Sequence, residues 1–395
     1  MEEPKNENEQ VQTKEIKNEE NKEFDSLQTI TKMTFGNQII KIKELSNKRF
    51  GVLLTNSLLI YNLNTFKKLY EIELPKINKN NYYQEKGIFD FIELKNLDLV
   101  LWTSENILFY KLSENEYKLY QNINSFDETE KEEIKEIKEI KEEDELDIYN
   151  FEDEDDTGKN KEFNINSLNE LSNNKLVCCN SLGLIIYKKE NDKYVFESKH
   201  DMDIDVRKII EITENKIILL QRYHYYYWYC SRNNYFSHKY LISIYDIDTK
   251  NITKLATNEV NKNNFYGYTL ISYLIKNGLL LIRYGNRIDI YDLNNNMTLV
   301  NHDQDTMVKT EDNYYGNYKI LKNEMDIIFL CDYLDNYLIT KTPGNEAKIY
   351  ILKDNSLHYI RDFPYQLKGL NEIIKLKNNS LIMYSKNELQ LLNKN

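Results

Sequence analysis

The stretch IIKIKELSNKRFGVLLTNSLLIYNLNTFKKLYEIEL, residues 39–74, decides the fold. It holds four short segments, IIKIKEL, RFGVLLT, LLIYNL and KKLYEIEL, separated by SNK, NS and NTF. Ile, Leu, Val, Tyr and Phe dominate the segments, and the linkers are turn-sized and polar. Short, β-branched and aromatic runs punctuated by Asn and Ser are strands joined by tight turns.

The rest of the chain repeats this unit with insertions. Later units open on FDFIELK, FNINSLNEL, DVRKIIEIT, YTLISYLI, DIIFLCDY and LNEIIKLK. Asn stands in every turn between first and second strands: Asn47, Asn96, Asn174, Asn215, Asn277, Asn336 and Asn379. Asn56, Asn106, Asn180, Asn286, Asn345 and Asn387 follow the second strands. Asn enters the left-handed region at low cost and bonds its own backbone, so it closes hairpins where Gly is scarce. Third strands end on Tyr61, Tyr110, Tyr187, Tyr245, Tyr291, Tyr350 and Leu392.

Four-stranded units recurring about every 45–50 residues predict an all-β fold, a seven-bladed β-propeller of antiparallel blades. The seventh unit has three strands of its own. SLQTITKMTF (26–35), with Leu27, Ile30 and Met33, reads as an orphan strand that completes it and removes an open edge. IYNL, IYDI and IYDL, at the third-strand ends of units one, four and five, resemble degenerate forms of the Trp-Asp ending of WD repeats. His200 and His302 fall where that family's histidine would stand. The resemblance covers most of residues 26–395 and implies a partner-binding platform.

Composition narrows the function classes. Of 395 residues, 41% are hydrophobic and 29% charged, enough apolar sequence for a buried core. Residues 1–24 carry almost no hydrophobes and are expected to be a disordered tail, leaving 25–395 as a single propeller domain. The net charge is −12 and no basic face is evident, so neither nucleic acid nor an anionic membrane is an expected partner. No secretory signal or membrane-spanning run is visible. Four scattered Cys make no disulfide or zinc framework, which points to a reducing compartment, cytoplasmic or nuclear. A monomer is expected, with no cofactor.

Antiparallel order puts second-to-third and between-unit connections on one face, and every long excursion falls there: 75–86, 125–161, 222–239, 261–267 and 303–324. Insertions gathered on one face of a repeat protein mark a binding face, although drift where nothing forbids it gives the same pattern. The candidate partner-binding residues are Tyr223, Tyr225, Tyr226, Tyr227, Trp228 and Tyr229, in the run YHYYYWY. Two readings stand for these rings: an exposed interface, or a hairpin covered on both faces by NNYYGNYK and NNFYGY. The acidic insert 125–161 reads as a solvated low-complexity loop; within it, Tyr149 and Phe151 among carboxylates form a second candidate, a short docking motif for a basic groove.

Catalytic signals are weak. Phosphate-binding glycine loops, nucleophile elbows and zinc-protease motifs are absent from the sequence. Asp153-x-Asp155-x-Thr157-Gly158 opens like a calcium loop, but Asn164 stands where a bidentate Glu is needed. His200 with Asp203, and His302 with Asp305, are the weak metal candidates; turn formation and capping explain them equally. Glu44, Glu93, Glu211 and Asp332 interrupt apolar first strands, either as a like-charged site or as strand ends in water. The function expected is a non-catalytic protein–protein interaction scaffold with protein partners of unknown identity. The alternative is an enzyme, or a small-ligand or metal binder, at the central mouth.

Overall fold

The computed structural model describes residues 27–75, 88, 90–103, 106–124, 165–180, 183–202, 205–227, 235–261, 272–284, 287–295, 297–304, 329–332, 337–341, 347–365 and 369–394. Every regular element in them is a β-strand, and the strands form seven four-stranded antiparallel sheets. Blades one to six occupy 39–73, 90–124, 167–201, 205–261, 272–304 and 329–362, each with its strands in sequence order. Blade seven takes its first three strands from 372–394 and its fourth, Leu27–Thr34, from the other end of the sequence. The fold is the all-β, seven-bladed propeller that the repeat predicts, closed by the expected orphan strand.

The chain divides into two compact units. Residues 40–267 form one, carrying blades one to four, and alternation builds its cores. Side chains of successive strand residues leave opposite faces, so Val100 joins the core between blades two and three while Leu101 joins the one between blades one and two. Cys178 and Cys179 split in the same way, into the cores on either side of blade three. The third-strand tyrosines face the preceding blade, Tyr110 toward blade one, Tyr187 toward blade two and Tyr245 toward blade three. Gly51 lies close to the next blade: a Cβ there would stand 2.8 Å from the Phe91 ring. A side chain on the second strand of blade one at that point would have to displace the ring.

The other unit, residues 1–39 and 268–395, holds blades five to seven. Leu27 of the orphan strand packs with Phe363, Leu381 and Leu392, and the Tyr365 hydroxyl donates to the Leu27 carbonyl. The strand pairs from Leu27↔Lys394 to Thr34↔Glu388. Ile30, expected as part of its apolar alternation, is instead 50% exposed. The cause is a bulge between Thr29 and Thr31 that extrudes Ile30 from the ladder.

That bulge recurs. The fourth strand of every blade carries one extra residue relative to the third: Leu69, Tyr120, Glu197, Leu255, Val300 and Ile360 in blades one to six. In five blades the shift falls at the third-strand tyrosine; in blade four it falls earlier, at Ser243. A bulge bends a strand and increases its local twist, so the same device acts on the fourth strand of each blade.

The turns use the expected chemistry in part. Asn47, Asn174, Asn277 and Asn379 have positive φ, but in blade two Leu97 takes that conformation and Asn96 bonds Asp98 instead. Asn56 and Asn387 follow second strands without entering the left-handed region, so this Asn series does not close its turns as predicted. Left-handed residues appear in the third-to-fourth turns, including the pairs Asn191-Asp192 and Asp354-Asn355. The Asn or Asp after the third-strand tyrosine has a local role. Asn62, Asp246 and Asp292 accept backbone N–H bonds from residues two or three further on, each at 2.9 Å. These are Asx turns, which explain the Tyr-Asn and Tyr-Asp endings by hairpin geometry.

Candidate functional site

Two features of the unit 40–267 depart from a plain blade. The first is in blade four. Its second and third strands, Lys216–Tyr227 and Tyr235–Asp246, are each 12 residues long, against 4 for the second strand of blade two. The first strand pairs only as far as Asp205↔Arg222. Beyond it the hairpin continues without a register shift through Tyr223↔Lys239, Tyr225↔Ser237 and Tyr226↔Phe236 to Tyr227↔Tyr235. The fourth strand follows to Ser237↔Asn261. Five residues at about 3.3 Å each carry this tongue about 17 Å past the first strand. Tyr223, Tyr225, Tyr226 and Tyr227 thus sit on the projecting ladder, and Trp228 and Tyr229 lie outside the described residues.

The second feature is the set of first strands. Those of blades one and four, Ile39–Leu45 and Asp205–Thr213, hold Lys41, Lys43, Arg207 and Lys208. The Lys43 ammonium pairs with Asp90 at 2.8 Å and donates to the Phe91 carbonyl at 2.7 Å. It also lies 5.6 Å from the ring centroids of Phe91 and Trp102. Burial lowers its pKa; Asp90 opposes this, and the charges of Lys41 and Lys208 add to the lowering. In blade four the ladder shifts between Val206 and Lys208, making Arg207 a bulge residue. The first-strand ladders of blades two, three, five, six and seven run without a shift. Arg207 and Lys208 are both half-buried, whereas Val206 and Ile209 on either side are buried. The Arg207 guanidinium donates to Asn166 Oδ1 at 3.2 Å.

The acidic residues of the first strands are otherwise engaged. Glu93 accepts from the Ser46 amide, Glu170 from the Lys95 amide and Glu211 from the Ser172 amide, at 2.5, 2.6 and 2.7 Å. Each carboxylate reaches back to the first turn of the preceding blade. In the other unit Asp332 pairs with Lys276 and, at 3.3 Å, with Lys375. Glu93, Glu211 and Asp332 are therefore latches between blades, neither a like-charged site nor strand ends left to water. Lys43 and Asn169 make an equivalent lateral bond, each donating to a carbonyl of the next blade's first strand, Phe91 and Ile209.

The weak metal candidates are spread out. His200, on the fourth strand of blade three, is tilted against Tyr245 with ring centroids 5.4 Å apart, and its Nε2 is 3.1 Å from Ser198 Oγ. Burial lowers its pKa, Lys250 adds to the lowering, and Asp201 opposes it. His302 pairs with Asp289 on the fourth strand of blade five. Asp203, Asp305, Tyr149, Phe151 and the calcium-like segment from Asp153 lie outside the described residues, as do the whole acidic insert 125–161 and the N-terminal tail 1–24. Among the described residues no group of three or more His, Cys, Asp or Glu is placed to hold a metal.

Sequence reasoning missed the basic first strands. The signal was present: IIKIKEL and DVRKIIEIT each place two cations among Ile and Val, and the adjacent Arg-Lys pair breaks the alternation. Chemically this set donates hydrogen bonds and positive charge. It brings together no nucleophile with a base and no pair of unengaged carboxylates.

No protein-family profile matches the chain, and no curated protein sequence is similar to it. Similarity to solved structures is extensive in shape and slight in sequence. A chain of the mitotic checkpoint complex crystal structure aligns with a TM-score of 0.57 at 8% identity, covering 92% of this chain and 91% of that one. Saccharomyces cerevisiae Sqt1 aligns with a TM-score of 0.50 at 11% identity, covering 90% and 83%. At such identities the likeness establishes the fold alone, a β-propeller.

Proposed function

We propose that this chain is a non-catalytic protein–protein interaction scaffold, and that the tongue of blade four is its principal contact. One observation carries the reading: a hairpin rich in Tyr extends past the blade that supports it, with backbone ladder bonds maintained to Tyr227↔Tyr235. Tyr brings large area, a polar atom and little conformational entropy to a contact, which is why it is enriched at interfaces. The structural similarity to a chain of the mitotic checkpoint complex, an assembly of proteins, agrees with a scaffold role. The first strands support a non-enzymatic reading as well, because they carry Lys and Asn while the carboxylates are tied up as latches. The compartment we favour is a reducing one, cytoplasmic or nuclear, because the spacing of the four Cys in the sequence makes no disulfide or zinc framework.

The test replaces 223–239 by Asn-Gly. Arg222 and Tyr240 are paired across the hairpin, so a two-residue turn rejoins them, and only the end of the fourth strand, Glu259 to Asn261, loses ladder partners. Proximity labelling in the source cells compares the partner sets of the two proteins. The scaffold reading expects the variant to melt like the parent and to lose a defined subset of partners. An unchanged partner set from a folded variant would overturn it.

A further inference from the structure

We propose that the chain's own acidic insert docks on the tongue of blade four, with residues 146–151 adding as a strand along the tongue's open edge. The first strand of the blade stops pairing at Asp205↔Arg222, while the second runs on to Tyr227. Among the described residues no strand lies beside 223–227 on that side. The Ile247 N–H donates to the Asn215 carbonyl at 2.8 Å, which sets the alternation of the hairpin. In an antiparallel ladder every second residue bonds across to a given neighbour, and no register shift interrupts this one. Tyr223, Tyr225 and Tyr227 therefore bond to the third strand, and His224 and Tyr226 turn their N–H and C=O groups to the open edge. Such an edge is a template for another extended segment.

Reach, charge and strand character single out the occupant. The insert leads into Ile165 and Asn166, and the Asn166 side-chain amide donates to the Val206 carbonyl at 2.9 Å. Its downstream end thus meets blade four one residue from Asp205, where the open edge begins. Phe151 and Ile165 stand 14 positions apart, up to about 46 Å of extended chain against about 17 Å of edge. Residues 125–161 hold 17 Asp and Glu against 6 Lys, so the insert carries almost all of the net charge of −12. The tongue, 222–240, has Arg222, Arg232 and Lys239 and no Asp or Glu. Tyr149 and Phe151 are the only aromatic residues of 127–161, and LDIYNF contains neither Pro nor Gly. Its Ile148-Tyr149-Asn150 repeats Ile60-Tyr61-Asn62, which lies in a strand of blade one. A docked insert competes with any partner that uses the same edge; that consequence rests on the scaffold reading above, whereas the docking does not.

The test is amide hydrogen exchange, read to single residues by fragmentation mass spectrometry. It compares the full chain with a variant in which a Gly-Ser linker of equal length replaces 127–160. The His224 and Tyr226 amides are expected to exchange at least about tenfold faster in the linker variant, the scale of one lost hydrogen bond. Ile148→Pro, which alters no described strand, should give the same acceleration. Tyr226→Pro should free His224 too, and it keeps the ladder to the third strand because the N–H it removes faces the edge. Equal exchange at His224 and Tyr226 in the full chain and the linker variant overturns the proposal. If both are fast, the edge is left to an external partner; if both are slow, another segment covers it. Protection that grows with protein concentration also overturns it, by assigning the edge to a second copy of the chain. Loss of the insert-dependent protection with a tongue-dependent partner set intact would sink the docking alone. Protection intact with an unchanged partner set in the 223–239 replacement would sink the scaffold reading alone.

Discussion

Glu93 joins two blades through two residues at once: it accepts the Arg49 guanidinium at 2.6 Å and the Ser46 amide at 2.5 Å. Its side chain is 7% exposed and that of Arg49 8%. Arg49 also donates to the Tyr117 hydroxyl at 2.8 Å. Removing one member of a buried pair leaves the other charge uncompensated, at a cost of about 3–5 kcal/mol. Glu93→Ala should therefore lower the urea midpoint sharply. Glu93→Gln keeps an acceptor for the amide and should lose less, about 1–3 kcal/mol. Equal, small losses in both variants would show that the seam rests on apolar packing alone.

Gly51→Ala tests the approach of blade one to blade two. The new methyl meets the Phe91 ring at 2.8 Å, so the ring or the strand must move. Overpacking of this kind costs about 1–3 kcal/mol. Phe91→Leu in the same background should recover part of the loss. A fully stable Gly51→Ala protein would mean that the two blades slide apart freely.

The closing strand makes a third case. Leu27 is 1% exposed among Phe363, Leu381 and Leu392. Leu27→Ala is expected to cost about 2–5 kcal/mol, as for other buried leucines. Deleting residues 27–34 leaves the strand Glu388–Lys394 as an open edge, and such edges recruit other chains. Size-exclusion chromatography should show soluble aggregate for the deletion and monomer for the point variant.

Alkaline pH should expose the buried tyrosines. Burial pushes the Tyr245 hydroxyl up to about 12, with Asp246 adding to the shift. Tyr120 and Tyr194 are raised too, by burial first and then by bonds to Asp98 and Glu170. A phenol raised in the folded state contributes stability that is fully present below the unfolded value, about 10, and is lost as pH climbs through the folded value. The denaturant midpoint should fall above pH of about 10. Tyr245→Phe should shallow that fall. It should also gain about 1 kcal/mol at neutral pH, because the buried Tyr245 hydroxyl has no hydrogen-bond partner among the described residues. A midpoint that falls just as steeply in the variant would contradict the assignment.

Most of the fold was legible because a repeat multiplies weak local signals. One unit such as 39–74 is ambiguous; seven that agree on strand order and turn position, six of them with the third-strand tyrosine, are not. The Asn marks were half right for a physical reason. Backbone geometry requires a left-handed residue at some position of each tight turn, but which residue takes it depends on loop length, and Leu97 shows that Asn need not be the one. The fourth-strand bulges were invisible, since one extra residue such as Ile30 leaves no compositional trace. The latches were misread for a related reason. Glu93 and Glu211 looked site-like in sequence, and their partners, Ser46 and Ser172, lie a whole blade away. The surroundings of Lys43 escaped notice because its partners, Asp90 and the Phe91 carbonyl, lie on the next blade, which no local pattern reports.

The pairing of Leu27 with Lys394 has a topological consequence. In blade six the same junction, third strand to fourth, is closed by Asp354-Asn355 with both residues left-handed. A two-residue turn of that kind between positions 394 and 27 would make the backbone continuous through blade seven. The opening of the polypeptide could then be moved to a connection between other blades. Where the backbone is cut is thus separable from how the blades are built, and circular permutants of this chain should refold to the same seven sheets.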